Sequence, residues 1–164
     1  MANKSKAKGT RAESNLVKYL NGAGLDSMRQ ALHGSADQGD VLLRIIDKDI
    51  VTEEIIIEVK TGKQTANVSR KVKEEWLKQT RTEMHNAKVR KGFLVIAKWQ
   101  TSMKDWEVWS ADGHSFWYLD IFTNWIKTHG RKAKKSEEHQ SVPGRPRSAQ
   151  GRDSSRADER PRSV

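Results

Sequence analysis

The 164-residue chain predicts a mixed α/β domain, a central sheet flanked by helices in the order α-β-β-β-α-β-β-α, followed by a disordered basic tail. Three observations carry that expectation. Apolar residues recur at helical spacing in separated stretches, short β-branched runs lie between them, and from Gly130 onward Pro, Gly, Ser and charged residues replace apolar ones. The boundary accordingly falls between a domain at 1–129 and a tail at 130–164. The length is that of one domain with one core.

The elements follow in order. Thr10-Arg11-Ala12-Glu13 has the Ser/Thr-x-x-Glu spacing of a helix start and precedes Leu16, Val17, Leu20 and Ala23, a run that stops at Asn21-Gly22-Ala23-Gly24. Leu25 to His33 predicts a strand, followed by the small-residue loop Gly34-Ser35-Ala36-Asp37-Gln38-Gly39. Asp40 to Ile46 and Glu53 to Lys60 read as two strands around the polar turn Asp47-Lys48-Asp49, and their apolar residues on both faces predict a sheet covered on each side. A long helix follows, with Val68, Val72, Trp76, Thr80, Met84 and Ala87 in one stripe, and Gly92 ends it. Phe93 to Ala97 and Trp106 to Trp109 predict two further strands, and Phe116 to Ile126 a last amphipathic helix.

Composition narrows the function classes. The chain has no Cys, which excludes a disulfide framework and thiolate zinc sites and suits a reducing compartment. No apolar run reaches the ~18 residues of a membrane span, and no apolar segment follows the basic N-terminus as in a signal peptide. We therefore expect a soluble intracellular protein, in cytoplasm or nucleoid and of cellular or viral origin, with no membrane partner. The net charge is +10, yet residues 1–11 carry four Lys/Arg and no acid, residues 131–164 carry ten against five acids, and the middle is nearly neutral. Basic arms around a neutral domain suit a polyanion, because each neutralised phosphate releases counterions.

The segment Ile55-Ile56-Ile57-Glu58-Val59-Lys60 holds the candidate chemistry. Side chains alternate along a strand, so Glu58 and Lys60 share a face with Ile56 while Ile57 and Val59 point the other way. A hairpin turn centred near Asp49 pairs residues whose numbers sum to about 98, which sets Asp40 opposite Glu58, with Cβ atoms ~5 Å apart. Two carboxylates so close need a cation between them, and hard oxygen donors favour Mg²⁺ or Mn²⁺. A lysine beside such an ion suits phosphodiester hydrolysis, orienting water or stabilising charge on a phosphoryl oxygen. The plainer reading is a strand end meeting solvent.

Gly39-Asp40 followed by Glu58-Val59-Lys60 resembles the signature of the PD-(D/E)XK nucleases, and residues 8–98 resemble the archaeal-type Holliday junction resolvases within them. Lys8-Gly9 with Glu13, Arg29 on the first strand, and Gly34-Ser35 before Asp40 match that family's further motifs in order and spacing. The resemblance implies a restriction-endonuclease-like fold, in which Asp40, Glu58 and the backbone carbonyl of Val59 bind Mg²⁺. It implies that Lys60 assists the water, that Glu13 completes the acidic cluster from the first helix, and that Ser35 lies near the scissile phosphate. Gly39 stands where the family has proline, which removes a rigid turn but no ligand, and Ser14 stands where the family often has a basic residue, so the resemblance does not carry that phosphate contact over. The resemblance assigns no counterpart to the Trp-rich region beyond Trp99 or to the tail.

Other residues keep two readings. Glu13 either closes a capping box with Thr10 or joins the acidic cluster. Gln79 either faces the site from the second helix or lies on the surface, and His33 is either a structural residue or one that titrates beside the Gly34-Ser35 loop. Five of the six tryptophans, Trp99, Trp106, Trp109, Trp117 and Trp125, fall late in the chain and suit a core or subunit interface better than base stacking.

The function expected is a Mg²⁺-dependent endonuclease, with Mn²⁺ substituting and no small-molecule cofactor, acting on branched double-stranded DNA at four-way junctions. Lys4, Lys6, Lys8, Arg11 and Arg29 would hold phosphates. A two-fold substrate predicts a homodimer, with the last helix as candidate interface. The alternatives are a nuclease of the same fold acting on other DNA, and a non-catalytic basic nucleic-acid-binding protein.

Overall fold

The computed structural model describes residues 4–30 and 38–129, with side chains from Gly9 onward. Within them the elements are α1 (Lys4–Gly22), β1 (Asp26–Arg29), β2 (Val41–Asp47), β3 (Ile50–Thr61), α2 (Arg70–Ala87), β4 (Lys91–Ala97), β5 (Glu107–Ser110), β6 (Phe116–Tyr118) and α3 (Leu119–His129). The six strands form one sheet in chain order, antiparallel throughout except between β3 and β4. That parallel pair is joined by α2, since parallel neighbours need a crossover rather than a hairpin.

The mixed sheet lies between helices, as expected for the fold class. Ala12, Leu16 and Leu20 of α1 and Leu119, Phe122 and Ile126 of α3 pack on one face, against Val41, Leu43, Ile55, Ile57, Val59, Val95 and Val108. On the other face, Leu77 of α2 packs on Leu94 and Ile96. The four-residue spacing of the α1 set puts all three side chains on one stripe, which is what burial against a sheet requires.

Three expectations needed correction. Helix α1 begins at Lys4, so Thr10 lies inside it and cannot cap it; Ser14 Oγ instead donates to the Thr10 carbonyl at 2.8 Å. Helix α2 stops at Ala87, where Lys88 takes a left-handed conformation, and Gly92 sits within β4, where a Cβ would come 2.4 Å from Met84 Cγ. Its role is close packing of helix on strand. Finally, Phe116–Tyr118 is a sixth strand rather than the start of α3: three consecutive aromatics favour the pleated edge, where Trp109 pairs Phe116 and Glu107 pairs Tyr118.

Four of the five late tryptophans pack within the described fold. Trp106 is buried in the main core, and Trp117 and Trp125 pack against it around Phe93 and Phe122. Trp109 packs on the α2 side, under the Lys73 ammonium. The tail at 130–164 lies outside the described residues.

Candidate active site

The β2–β3 hairpin creates the site. From Val41↔Ile57 to Ile45↔Glu53 the paired numbers sum to 98, and a bulge between Ile45 and Ile46 shifts the register only near the turn. Asp40, one residue before β2, donates its N–H to the Ile57 carbonyl at 3.2 Å, and its Oδ2 accepts the Val59 N–H at 2.8 Å. A strand residue's carbonyl projects to the same side as its N–H. The Val59 carbonyl therefore faces the Asp40 side as well.

Gly39 sets the approach of Asp40. Its φ is +88°, and a Cβ there would lie 2.3 Å from Ile56 Cγ2. Neither proline, with φ fixed near −65°, nor any side chain fits this turn. The replacement of the family's proline is thus a different local solution that still delivers the aspartate to the hairpin end.

Glu58 and Lys60 face α2. Glu58 is 4% exposed, and Lys60 Nζ donates to its Oε1. The same ammonium donates to Gln79 Oε1 at 2.8 Å. Gln79 Nε2 in turn donates to Glu58 Oε1 at 3.1 Å and to Glu83 Oε1 at 2.7 Å. Gln79 thus faces the site. Glu83, 1% exposed, joins the site without having been expected there. One signal was available, since Gln79 and Glu83 are four residues apart and share a helix face. Read as part of an apolar stripe, that face gave no reason to look for a carboxylate.

Electrostatics distinguish these acids from surface carboxylates. Asp40 is raised to about 7, first by burial and then by the Glu58 charge, against the opposing pull of the Val59 N–H. Glu58 is likewise raised to about 7 by burial, with Lys60 lowering it and Glu83 raising it. Each therefore sits where a modest change in its surroundings decides its charge.

Glu13 reaches toward this cluster from α1, and its charge contributes to the raising of Asp40. Its Oε2 accepts from Arg29 Nε at 2.9 Å and Arg29 Nη2 at 2.6 Å. Strand β1, which carries Arg29, is fixed to α1 by Asn21, whose Oδ1 accepts the Ser27 N–H at 2.8 Å and whose Nδ2 donates to the Ser27 carbonyl at 3.1 Å. Arg11 is exposed on α1. Ser35 and His33 lie outside the described residues, as do the side chains of Lys4, Lys6 and Lys8.

Among the described residues, no three His, Cys, Asp or Glu side chains are gathered so as to hold a metal ion as they stand, in keeping with Glu13 being engaged by Arg29. Yet Asp40 and Glu58 interact directly, and Glu58 raises the affinity of Asp40 for a proton. Paired, buried carboxylates beside a strand carbonyl are the hard oxygen donors that a divalent cation takes. The residues fit such an ion.

A family model described as archaeal Holliday junction resolvase (Hjc) matches residues 4–113. Among solved structures, the chain is similar to the 1.6 Å structure of Archaeoglobus fulgidus Hjc, a Holliday junction resolvase from an archaeal hyperthermophile, at 17% identity and a TM-score of 0.42, over 62% of this chain and 75% of that one. No curated protein matches the sequence.

Proposed function

The chain belongs to the archaeal Holliday junction resolvase family, and we propose that it is a divalent-metal-dependent endonuclease that hydrolyses phosphodiester bonds at four-way DNA junctions. The observation that carries this reading is the convergence of Asp40 and Glu58 at one hairpin end, with Lys60 on Glu58 and both carboxylates raised to about 7.

Asp40, Glu58 and the Val59 carbonyl would hold Mg²⁺, or Mn²⁺ in its place, with Glu13 a further ligand. When bound, such an ion supplies Lewis-acid stabilisation of the charge that develops on the phosphate and makes water a better nucleophile. The chain's own residues do the rest. Asp40 is held by the Val59 N–H, so its second oxygen is oriented toward the cluster. Lys60, held by Glu58 and Gln79, keeps a proton for a water or a phosphoryl oxygen. Ser35 would act from the loop before Asp40.

Binding is led by shape and charge. Arg11 and Arg29 would contact phosphates together with Lys4, Lys6 and Lys8, which position the branch without reading bases. A junction offers two opposed strands to cut, so the working unit is a homodimer with two sites. Ile121 on α3 is exposed and supports the last helix as the dimer face. The nuclease domain spans 1–129, with 130–164 a basic tail that adds phosphate contacts. No helix among the described residues is long and apolar enough to cross a membrane.

The test compares a four-way junction with linear duplex of the same sequence at fixed salt, using wild type, Asp40→Asn and Lys60→Ala. Junction cleavage by wild type alone, with junction binding kept by both variants, is expected. Equal cutting of duplex and junction indicates a general nuclease, and cleavage surviving both substitutions overturns the site.

A further inference from the structure

We propose that Glu83 is a positioning residue for the reaction: from beneath the site it fixes the amide of Gln79, and through it the ammonium of Lys60. The inference rests on the reading of Asp40, Glu58 and Lys60 as the hydrolytic centre, and adds a residue that this reading does not require.

The geometry has a direction. Gln79 spends its oxygen on Lys60 at 2.8 Å and its nitrogen on Glu58 at 3.1 Å and Glu83 at 2.7 Å. A flipped amide would aim N–H groups at an ammonium and an oxygen at two carboxylates, replacing three attractive contacts by repulsive ones. Glu58 and Lys60, however, are the groups being positioned, and they cannot also be the fixed reference. Glu83 can. It lies one turn along the same helix, its contact with Gln79 is the shortest of the three, and it is 1% exposed.

Glu83 also reaches the other half of the site. Its Oε2 lies 3.6 Å from where a Cβ on Gly39 would be, so the glycine that presents Asp40 and the helix that orients Lys60 meet at this one side chain. A leucine on this buried face of α2 would be the cheaper choice for stability, because burying a carboxylate among apolar neighbours is costly. Stability therefore does not account for the residue, whereas orientation of Gln79 does.

The test is kinetic, with thermal unfolding followed in parallel. Glu83→Leu is expected to keep the fold, and to lower kcat for junction cleavage by about a hundredfold while KM for the junction and the Mg²⁺ concentration for half-maximal rate move less than about threefold. Glu83→Gln, which keeps the shape and an acceptor oxygen, is expected to restore most of kcat. Gln79→Leu should match Glu83→Leu, and the double variant should be no slower than either, since both break one relay. Should Glu83→Leu not fold, Glu83→Met, which also removes the acceptor, takes its place in the same cycle with Gln79→Leu. A folded Glu83→Leu with wild-type kcat, or losses that multiply in the double variant, overturns the proposal. Lys60→Ala separates the two failures: if it still cleaves, the hydrolytic centre is wrong; if it is dead while Glu83→Leu is fully active, only the positioning role fails.

Discussion

Arg29 gives two hydrogen bonds to a single oxygen of Glu13, from Nε at 2.9 Å and from Nη2 at 2.6 Å, and so ties the first strand to the acidic cluster. The arginine proposed to bind phosphate and the glutamate proposed to bind metal thus neutralise each other in this structure. Arg29 is 41% exposed while Glu13 is 14% exposed, so the arginine is the partner that a phosphate can approach.

Arg29→Ala should therefore separate stability from binding. A pair with one exposed member contributes about 0–1 kcal/mol, so thermal unfolding should move little. Junction affinity should fall, and the slope of log K against log salt should decrease by about one, as for the loss of one phosphate contact. Anisotropy titrations over a salt series check both. An unchanged slope would mean that Arg29 serves only to hold Glu13.

Metal binding should be proton-linked. Asp40 and Glu58 are both raised to about 7, and a cation takes only their ionised forms. Mg²⁺ or Mn²⁺ affinity should thus rise between about pH 6 and 8, with protons released on binding. Calorimetry in buffers of different ionisation enthalpy measures that release. Asp40→Asn should reduce it.

The same shifts fix the sign of stability against pH in the metal-free protein. A carboxyl whose folded pKa lies above its unfolded value favours folding when protonated. That contribution is complete below about pH 4 and is lost as pH rises through about 7. At about 1.4 kcal/mol per unit, and discounted for solvent access, the two groups should cost on the order of a few kcal/mol by pH 8. Denaturant midpoints should fall over that range without metal and recover with it; a flat profile would contradict the burial of the pair.

How far the site was legible depended on whether each residue followed a local rule. The pairing of Asp40 with Glu58 was readable because the polar turn Asp47-Lys48-Asp49 sets the register, and the bulge at Ile45/Ile46 shifts only the last pairs before the turn. Glu13 was ambiguous because Lys4 to Gly9 contains no large apolar residue, so nothing signalled that α1 already runs through Thr10. Once the helix includes Thr10, a capping role is gone and the bond to Arg29 remains. Strand β6 was hidden because Phe116-Trp117-Tyr118 continues without a breaker into the amphipathic α3. Glu83 was invisible for a different reason: pattern reading assigns buried helix positions to apolar residues, and a carboxylate placed for orientation breaks that rule.

Gly39→Ala should be among the most damaging single-methyl changes in the chain. The added Cβ would meet Ile56 Cγ2 at 2.3 Å, on a backbone whose φ of +88° already disfavours any side chain. Strain of both kinds predicts a loss of about 2–4 kcal/mol. Asp40 would be displaced along with the turn, so cleavage should fall by more than stability alone explains. Urea unfolding and cleavage at a temperature where the variant is folded measure the two effects separately. A loss below about 1 kcal/mol would show that the turn relaxes freely.

The opposite end of the hairpin should be improvable without touching the chemistry. Lys48 and Asp49 have φ values of 50° and 65°, the two left-handed positions of a tight turn that pairs Asp47 with Ile50. Such turns match the twist of the flanking strands, but they favour Asn followed by Gly, because other residues pay for a positive φ. Lys48→Asn with Asp49→Gly should therefore stabilise the fold by about 1 kcal/mol. The turn lies some seven residues along β2 from Asp40, roughly 20 Å at strand rise, so kcat for junction cleavage should stay as in wild type. A higher urea midpoint with unaltered kcat is the expected result; a loss of cleavage at unchanged stability would instead show that the tip itself contacts the DNA.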